Sequence, residues 1–170
     1  FIDHSLSVSD INAFYEVSEY FSSEYAGGGM EVEYEANRID QEKKAVFALQ
    51  IMSRYKKSGS LLDIGCAGGY FLKCAQDMYG FDPKGVDVSR EMAEFGKNKL
   101  GVDIHCGTIE TVPKEWGSFD AVYMGDVLEH IPEPVPFIAL VRDRMNPEGI
   151  MCLELPFTYK EAKAFLIRNM

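Results

Sequence analysis

The sequence is poor in the features that mark several protein classes. Its longest apolar runs fall well short of the ~20 residues that a membrane-spanning helix needs, and the start Phe1-Ile2-Asp3-His4 has neither the basic head nor the apolar core of a signal peptide. Four cysteines, Cys66, Cys74, Cys106 and Cys152, stand far apart, with no C-x-x-C pair and no histidine at zinc-ligand spacing. These absences predict a soluble, cytoplasmic protein with free thiols and no metal. Basic residues are also scarce: 17 Lys and Arg against 27 Asp and Glu leave a formal net charge of −10. Non-specific grip on nucleic acid needs clustered cations, so that partner is disfavoured and a small-molecule or protein substrate preferred. Internal repeats and low-complexity tracts are lacking.

What is present, in 170 residues of which 46% are apolar, suffices for a sizeable core. Ser9-Asp10 can cap a helix carrying Ile11, Phe14, Tyr15, Val17, Tyr20 and Phe21 at helical spacing, before Gly27-Gly28-Gly29 breaks it. A longer helix is predicted from about Tyr34 to Tyr55, ended by Ser58-Gly59. Residues 1–58 thus read as a helical lid or cap, and residues 59–170 as the core. There Ser60-Leu61-Leu62-Asp63-Ile64 reads as a strand, followed by a glycine-rich turn and a helix from Tyr70 to Tyr79. Gly80-Phe81-Asp82-Pro83 reads as a turn, Lys84 to Val88 as a second strand, and Ser89 as the cap of a helix reaching Leu100. Val102 to Cys106 and Phe119 to Met124 are the third and fourth strands, separated by a loop from Ile109 to Ser118. A helix from Pro134 to about Met145, a turn at Asn146-Pro147-Glu148-Gly149, a fifth strand from Ile150 to Leu155 and a Thr158-capped helix to Met170 complete the pattern.

Strands alternating with helices predict a doubly wound, mainly parallel sheet with helices on both faces. Ligands of such sheets bind beyond the carboxyl ends of the strands, where strand order reverses. The informative residues fall at four consecutive strand ends: Gly65 to Gly69, Asp87, Thr108, and Asp126 to His130. Gly65, Gly68 and Gly69 permit a sharp turn and close approach to a ligand, and an acid at Asp87 suits the two hydroxyls of a ribose. A dinucleotide would want G-x-G-x-x-G, whereas Gly65-Cys66-Ala67-Gly68-Gly69-Tyr70 has Ala and Tyr at the second and third glycine positions.

Three segments in order carry a resemblance. Leu62 to Gly69 resembles the first motif of the class I S-adenosylmethionine-dependent methyltransferases, Gly85-Val86-Asp87-Val88-Ser89 resembles their ribose-binding acid, and Phe119-Asp120 through Asp126-Val127-Leu128-Glu129-His130-Ile131-Pro132 resembles the fourth-strand segment of their small-molecule branch. The resemblance implies a Rossmann-like fold and S-adenosylmethionine as cofactor. It implies that Gly65, Cys66, Ala67, Gly68 and Gly69 meet the amino acid part of the cofactor, with Asp63 ordering the turn or reaching the ammonium. Asp87 would hold the ribose, Val88 and Met92 the adenine, Thr108 or Ile109 the adenine edge, and Met124, Gly125 and Asp126 the methionine part. Ala67 departs from the usual glycine, and Thr108 stands where an acid is common. The stretch Tyr34-Glu35-Ala36-Asn37-Arg38 is similar to segments that close over the cofactor in bacterial enzymes modifying quinones, sugars or natural products, which makes Arg38 a candidate partner for the methionine carboxylate.

The implied activity is methyl transfer to a small acceptor, at a hydroxyl oxygen or a carbon, with His130 or Asp126 as candidate base. A non-catalytic protein of the same fold, holding the cofactor or a protein partner, is the competing reading. The absence of an Asn/Asp-Pro-Pro-Tyr/Phe segment and of a Pro-Cys pair after the fourth strand disfavours amino-group and cytosine C5 methylation. The family sheet has seven strands, and the 15 residues after Leu155 leave the last ones missing. A fragment of a longer protein would account for this; otherwise the Thr158 to Met170 helix, or a partner such as a second copy of the chain in a homo-oligomer, would cover the fifth-strand edge.

Overall fold

The computed structural model describes residues 30–155 and 163–168. The helix expected near Ser9 to Phe21, the triple glycine and the Thr158 cap lie outside them. The strands are β1 (Gly59–Ile64), β2 (Phe81–Asp87), β3 (Asp103–Cys106), β4 (Phe119–Gly125), β5 (Met145–Leu155) and β6 (Lys163–Arg168). They form one sheet in the order β3-β2-β1-β4-β5-β6, parallel throughout except for β6, which runs antiparallel to β5. The helices are α1 (Met30–Ala36), α2 (Arg38–Met52), α3 (Tyr70–Tyr79), α4 (Arg90–Phe95) and α5 (Pro134–Arg142).

Leu61 and Leu62, consecutive and therefore on opposite faces of β1, are both fully buried. Both faces of the sheet must be covered, which explains why the strands read as continuous apolar runs rather than alternating ones. On one face α2 sets down Ala45, Ala48, Leu49 and Met52, and α3 sets down Phe71, Leu72, Cys74 and Ala75, against Leu61, Ala121, Ile150 and Cys152. These spacings give each helix one apolar stripe, and burying a large side chain there contributes about 1.5–3 kcal/mol. On the other face Val141 of α5, with Ile109 and Val112, packs on Leu62, Val122 and Met151. The predicted N-terminal cap thus includes α2, whose apolar stripe lies within this shared core. Among the described residues no helix is long and apolar enough to cross a membrane.

Strand order reverses between β1 and β4, so the turns that follow these strands diverge above the sheet and leave a crevice. The expected strand-helix alternation holds, with local corrections. Phe81-Asp82-Pro83 is the start of β2 rather than a turn, because Gly80 at φ +67° already ends α3. Pro83 is tolerated because β3 pairing begins only at Lys84, leaving no ladder bond there for a missing N–H to break. Asn146 to Gly149 lies inside β5 as an excursion where the register to β4 shifts between Phe119 and Ala121.

The largest correction is at the C-terminal end. Lys163–Arg168 is a strand, not part of a helix, and it pairs Ile150↔Arg168 through Leu155↔Lys163. The open edge of β5 offers unpaired N–H and C=O groups, and the run Ala164-Phe165-Leu166-Ile167 has the composition to satisfy them. The sheet therefore does not stop at β5.

Candidate functional site

The turn after β1 is shaped by what cannot carry a side chain. Gly65 has φ +74°, and a Cβ there would collide with the Val127 side chain from the turn after β4. Two residues on, Ala67 also adopts a left-handed conformation, φ +46°, at a cost of about 1–2 kcal/mol for a residue with a Cβ. That conformation is held from below: the Ala67 N–H donates to Asp87 Oδ2 at 2.7 Å, and the Ser89 N–H donates to Asp87 Oδ1 at 2.8 Å. Asp87 at the end of β2 therefore ties the β1 turn to the start of α4, and each of its oxygens keeps capacity for a further donor. Over the outer side of the turn lies α1. Tyr34 stacks on Tyr70 at 4.7 Å, and its hydroxyl accepts the Tyr70 N–H at 3.3 Å. A Cβ on Gly68 would stand 2.5 Å from the Tyr34 ring.

Asp63 is 2% exposed, and among the described residues its carboxyl accepts no hydrogen bond. Burial, and then the nearby charge of Asp87, raises its pKa well above the usual carboxylate range. Burial also raises that of Asp87, against the opposing effect of the N–H groups of Ser89 and Ala67. The Cys66 thiol is pushed up by burial and by both acids.

Beyond β4 the side chains change character. Tyr123 stacks on Phe71, ring centroids 3.9 Å apart, and its hydroxyl donates to Glu154 Oε2 at 2.9 Å. Glu154, on β5 opposite Gly125, is 6% exposed. Asp126 has φ +55°, donates its N–H to the Glu154 carbonyl at 3.0 Å and faces Lys44 Nζ of α2 at 3.6 Å. The next turn, Leu128–His130, carries His130 with its Nε2 3.9 Å from Glu129 Oε1 and 42% of the side chain exposed. Between these groups opens a crevice of about 410 Å³. Among the described residues lining it, four acids, Asp63, Asp87, Asp126 and Glu154, face one lysine, Lys44. Such a surface attracts cationic ligands and repels phosphates.

A family model described as a methyltransferase domain matches residues 62–153, which takes in the β1 turn, Asp87 and the segment through His130. The chain belongs to the methyltransferase-domain family. The ubiquinone biosynthesis O-methyltransferases of Rhodopseudomonas palustris (strain BisB5) and Coxiella burnetii (strain Dugway 5J108-111) are 31% and 32% identical to it over 96 and 98 residues. These matches cover 54% and 55% of this chain and 37% and 42% of the relatives, so the chain spans less than half of their length. Among solved structures, the plantazolicin methyltransferase BpumL in complex with a pentazolic desmethylPZN analog and SAH superposes with a TM-score of 0.59 at 15% identity, covering 87% of this chain and 60% of that one. The SAM-bound amino pentose methyltransferase CalS10 of Micromonospora echinaspora does so with a TM-score of 0.61 at 21% identity, covering 73% and 56%. These likenesses concern the fold, which is that of class I methyltransferases.

Within this methyltransferase domain the crevice gathers Asp63, Gly65, Cys66, Ala67, Asp87, Val88, Thr108, Ile109, Gly125, Asp126 and His130 of the residues singled out in the sequence. Others lie elsewhere. Gly68 is roofed by Tyr34 and Phe95, and Gly69 caps α3. Met92 is buried with Tyr70 and Phe95, and Met124 points into the core on the opposite face. Arg38 is on the outer surface, paired with Glu42 at 2.7 Å with 62% of its side chain exposed, because its helical position turns it away from the sheet. The sequence reading missed Gln41, Lys44, Tyr123 and Glu154, which line the crevice. Glu154 had a signal: an acid inside the apolar run Ile150 to Leu155 must be buried for a reason. Lys44 had none, since a charged helix residue is ordinarily solvated.

Proposed function

We propose that the crevice binds S-adenosylmethionine and that the chain promotes methyl transfer to a hydroxyl of a small molecule. The observation that carries this reading is the charge of the lining: four acids and one lysine suit a ligand with an ammonium and a sulfonium, and oppose the diphosphate of a dinucleotide. The cradle fits the cofactor in two further respects. Gly65 keeps the crevice floor free of a Cβ, and Asp63 is a buried acid with no hydrogen bond from the described residues.

In this reading Asp63 takes the ammonium, Asp87 the ribose hydroxyls through its remaining lone pairs, and Val88, Thr108 and Ile109 the adenine side. Gly125 and Asp126 border the methionine part. Gly68, Gly69, Met92 and Met124 support these contacts from behind. Bound S-adenosylmethionine supplies a methyl group on sulfur that already has a good leaving group, so the chain's contribution is mainly positioning and exclusion of water. Lys44 holds Asp126 at the mouth, and His130 lines the same side. The O-methyl assignment is supported by the chemistry named for the ubiquinone biosynthesis relatives.

Calorimetric titration of the full chain with S-adenosylhomocysteine tests the reading. Saturable one-to-one binding is the expected result, and a folded protein that takes up none of it would overturn the assignment.

A further inference from the structure

Of the four acids that line the crevice, Glu154 is the one assigned to no part of the cofactor. Glu154 projects from β5 on the same face as Cys152 and beside Tyr123 of β4, whose hydroxyl fixes Oε2 at 2.9 Å. The other oxygen, Oε1, accepts no hydrogen bond from the described residues. Tyr123 itself cannot swing away: its ring is stacked on Phe71 with planes 9° apart. Its hydroxyl occupies space that Gly125 leaves open, since a Cβ there would stand 2.5 Å from Tyr123 Oη. The result is a carboxylate locked in orientation by a phenol, with one oxygen to offer the crevice.

We propose that Glu154 is the base that receives the proton of the methyl acceptor, with Tyr123 as its positioning residue. This rests on the methyltransferase reading above. As the acceptor oxygen bonds to the methyl carbon, the electron pair of the breaking carbon–sulfur bond returns to sulfur, and the acceptor's proton passes to Glu154 Oε1. The carboxylic acid so formed loses its proton to water when the products leave. A hydroxyl attached to a flat ring suits the aromatic wall made by Phe71 and Tyr123. Glu154 has an advantage over His130, whose side chain is 42% exposed, because a base shielded from water keeps its lone pair for the acceptor. The ionisable groups around Glu154 are Tyr123 of β4, Asp126 of the turn after it, Cys152 of its own strand, Asp63 of β1 and Lys44 of α2.

The test uses Glu154→Gln and Tyr123→Phe in the full chain, with phenol and the more acidic 4-nitrophenol as probes. Calorimetry first measures S-adenosylhomocysteine binding, which both variants are expected to keep within about twofold of the parent. Phenol binding to the S-adenosylhomocysteine-saturated protein is then expected to weaken about tenfold in Glu154→Gln, the effect of one hydrogen bond to a charged group. Methyl transfer from S-adenosylmethionine to phenol should fall more than about a hundredfold, as for loss of a general base. The loss should be much smaller for 4-nitrophenol, which is largely ionised without help. Tyr123→Phe keeps the carboxylate but frees its orientation, so it should lower kcat for phenol several-fold with KM within about twofold, and leave 4-nitrophenol much less affected.

If the parent fails to bind S-adenosylhomocysteine, the methyltransferase reading itself fails. If the parent binds it but the loaded protein takes no phenol, the proposal is overturned while that reading stands. Equal losses for the two phenols, an unchanged kcat for phenol in Tyr123→Phe, or loss of S-adenosylhomocysteine binding in Glu154→Gln alone would also overturn it.

Discussion

Asp63→Asn removes one charge from the buried end of β1 while keeping the shape of the side chain. In the free protein, burial and the negative charge of Asp87 raise the Asp63 pKa well above its usual value, so the folded chain holds a proton there that the unfolded chain has already lost. Native protein then binds more protons than unfolded, and stability falls as pH rises from the usual carboxylate value through the raised one. Asparagine carries no such penalty, and the variant should be more stable than the parent toward the top of that window. Cofactor binding runs the other way. An ammonium placed against Asp63 favours the ionised carboxylate, so binding releases the proton, and affinity should rise with pH across the same window by up to about tenfold per pH unit. Asparagine forfeits the charge-assisted hydrogen bond, worth about 1.5–3 kcal/mol, or roughly ten- to 150-fold in affinity where Asp63 is ionised. Titrations with S-adenosylhomocysteine at several pH values, each in two buffers of different ionisation enthalpy, would read affinity and proton release together. Asp87 titrates under the same burial, so a shallow residual slope is expected in the variant. An Asp63→Asn protein with the parent's affinity and the parent's pH slope would refute the ammonium assignment.

Two other acids give contrasting outcomes. Asp87→Ala removes the acceptor for the N–H groups of Ala67 and Ser89 together with the ribose contact, and should weaken S-adenosylhomocysteine binding by more than about 1 kcal/mol by calorimetry. Asp120 lies at the far end of the sheet, where it accepts from Ser60 and Asn146 and faces Lys56 at 3.5 Å. Partial burial alone would raise its pKa, but these bonds and the lysine outweigh that and hold it below the usual range. The stability it contributes is therefore present above the usual carboxylate value and lost as pH falls through the lowered one. Asp120→Ala should lower unfolding stability by about 1–3 kcal/mol at neutral pH in urea titrations, with a smaller difference in acid and no change in ligand affinity.

The parts of the fold legible in the sequence are those where one short segment encodes its own neighbour. The run Leu61 to Gly69 announces strand, turn and helix through apolar residues, glycines and a helical pattern, and the alternation of such units implies the parallel sheet. Lys163–Arg168 was illegible because its strand state is set by the open edge of β5, a partner remote in the pattern that only the assembled sheet provides. The site divides in the same way. Asp63, Gly65 and Asp87 sit at strand ends, where topology alone delivers them to the crevice. Lys44 arrives there because α2 packs against β5 and α3, a docking that helical spacing within α2 does not reveal, and Tyr123 is held there by Phe71 of α3, which stacks on it. Arg38 shows the reverse error: its chemistry suited a carboxylate, but six residues before Lys44 it falls on the other side of the same helix.

Ala67 and Asp126, the non-glycine residues of positive φ among those described, lie in the two turns that face each other across the point where strand order reverses. Strain concentrated there must be held by neighbouring contacts. For Ala67 the contact is the 2.7 Å bond to Asp87, and for Asp126 it is the N–H bond to the Glu154 carbonyl. The acid assigned to the ribose thus also holds the turn assigned to the amino acid end of the cofactor. Ala67→Gly should relieve the left-handed strain and stabilise the parent by up to about 1 kcal/mol, less the extra freedom that glycine gives the unfolded chain. In an Asp87→Ala background Ala67 is no longer held and can relax without help, so the same substitution should gain little. A double-mutant cycle in urea would therefore show a coupling of about 0.5–1 kcal/mol between two residues of different strand ends. Strict additivity would mean that the Ala67 conformation is imposed by Gly65 and the start of α3, and that Asp87 only records it.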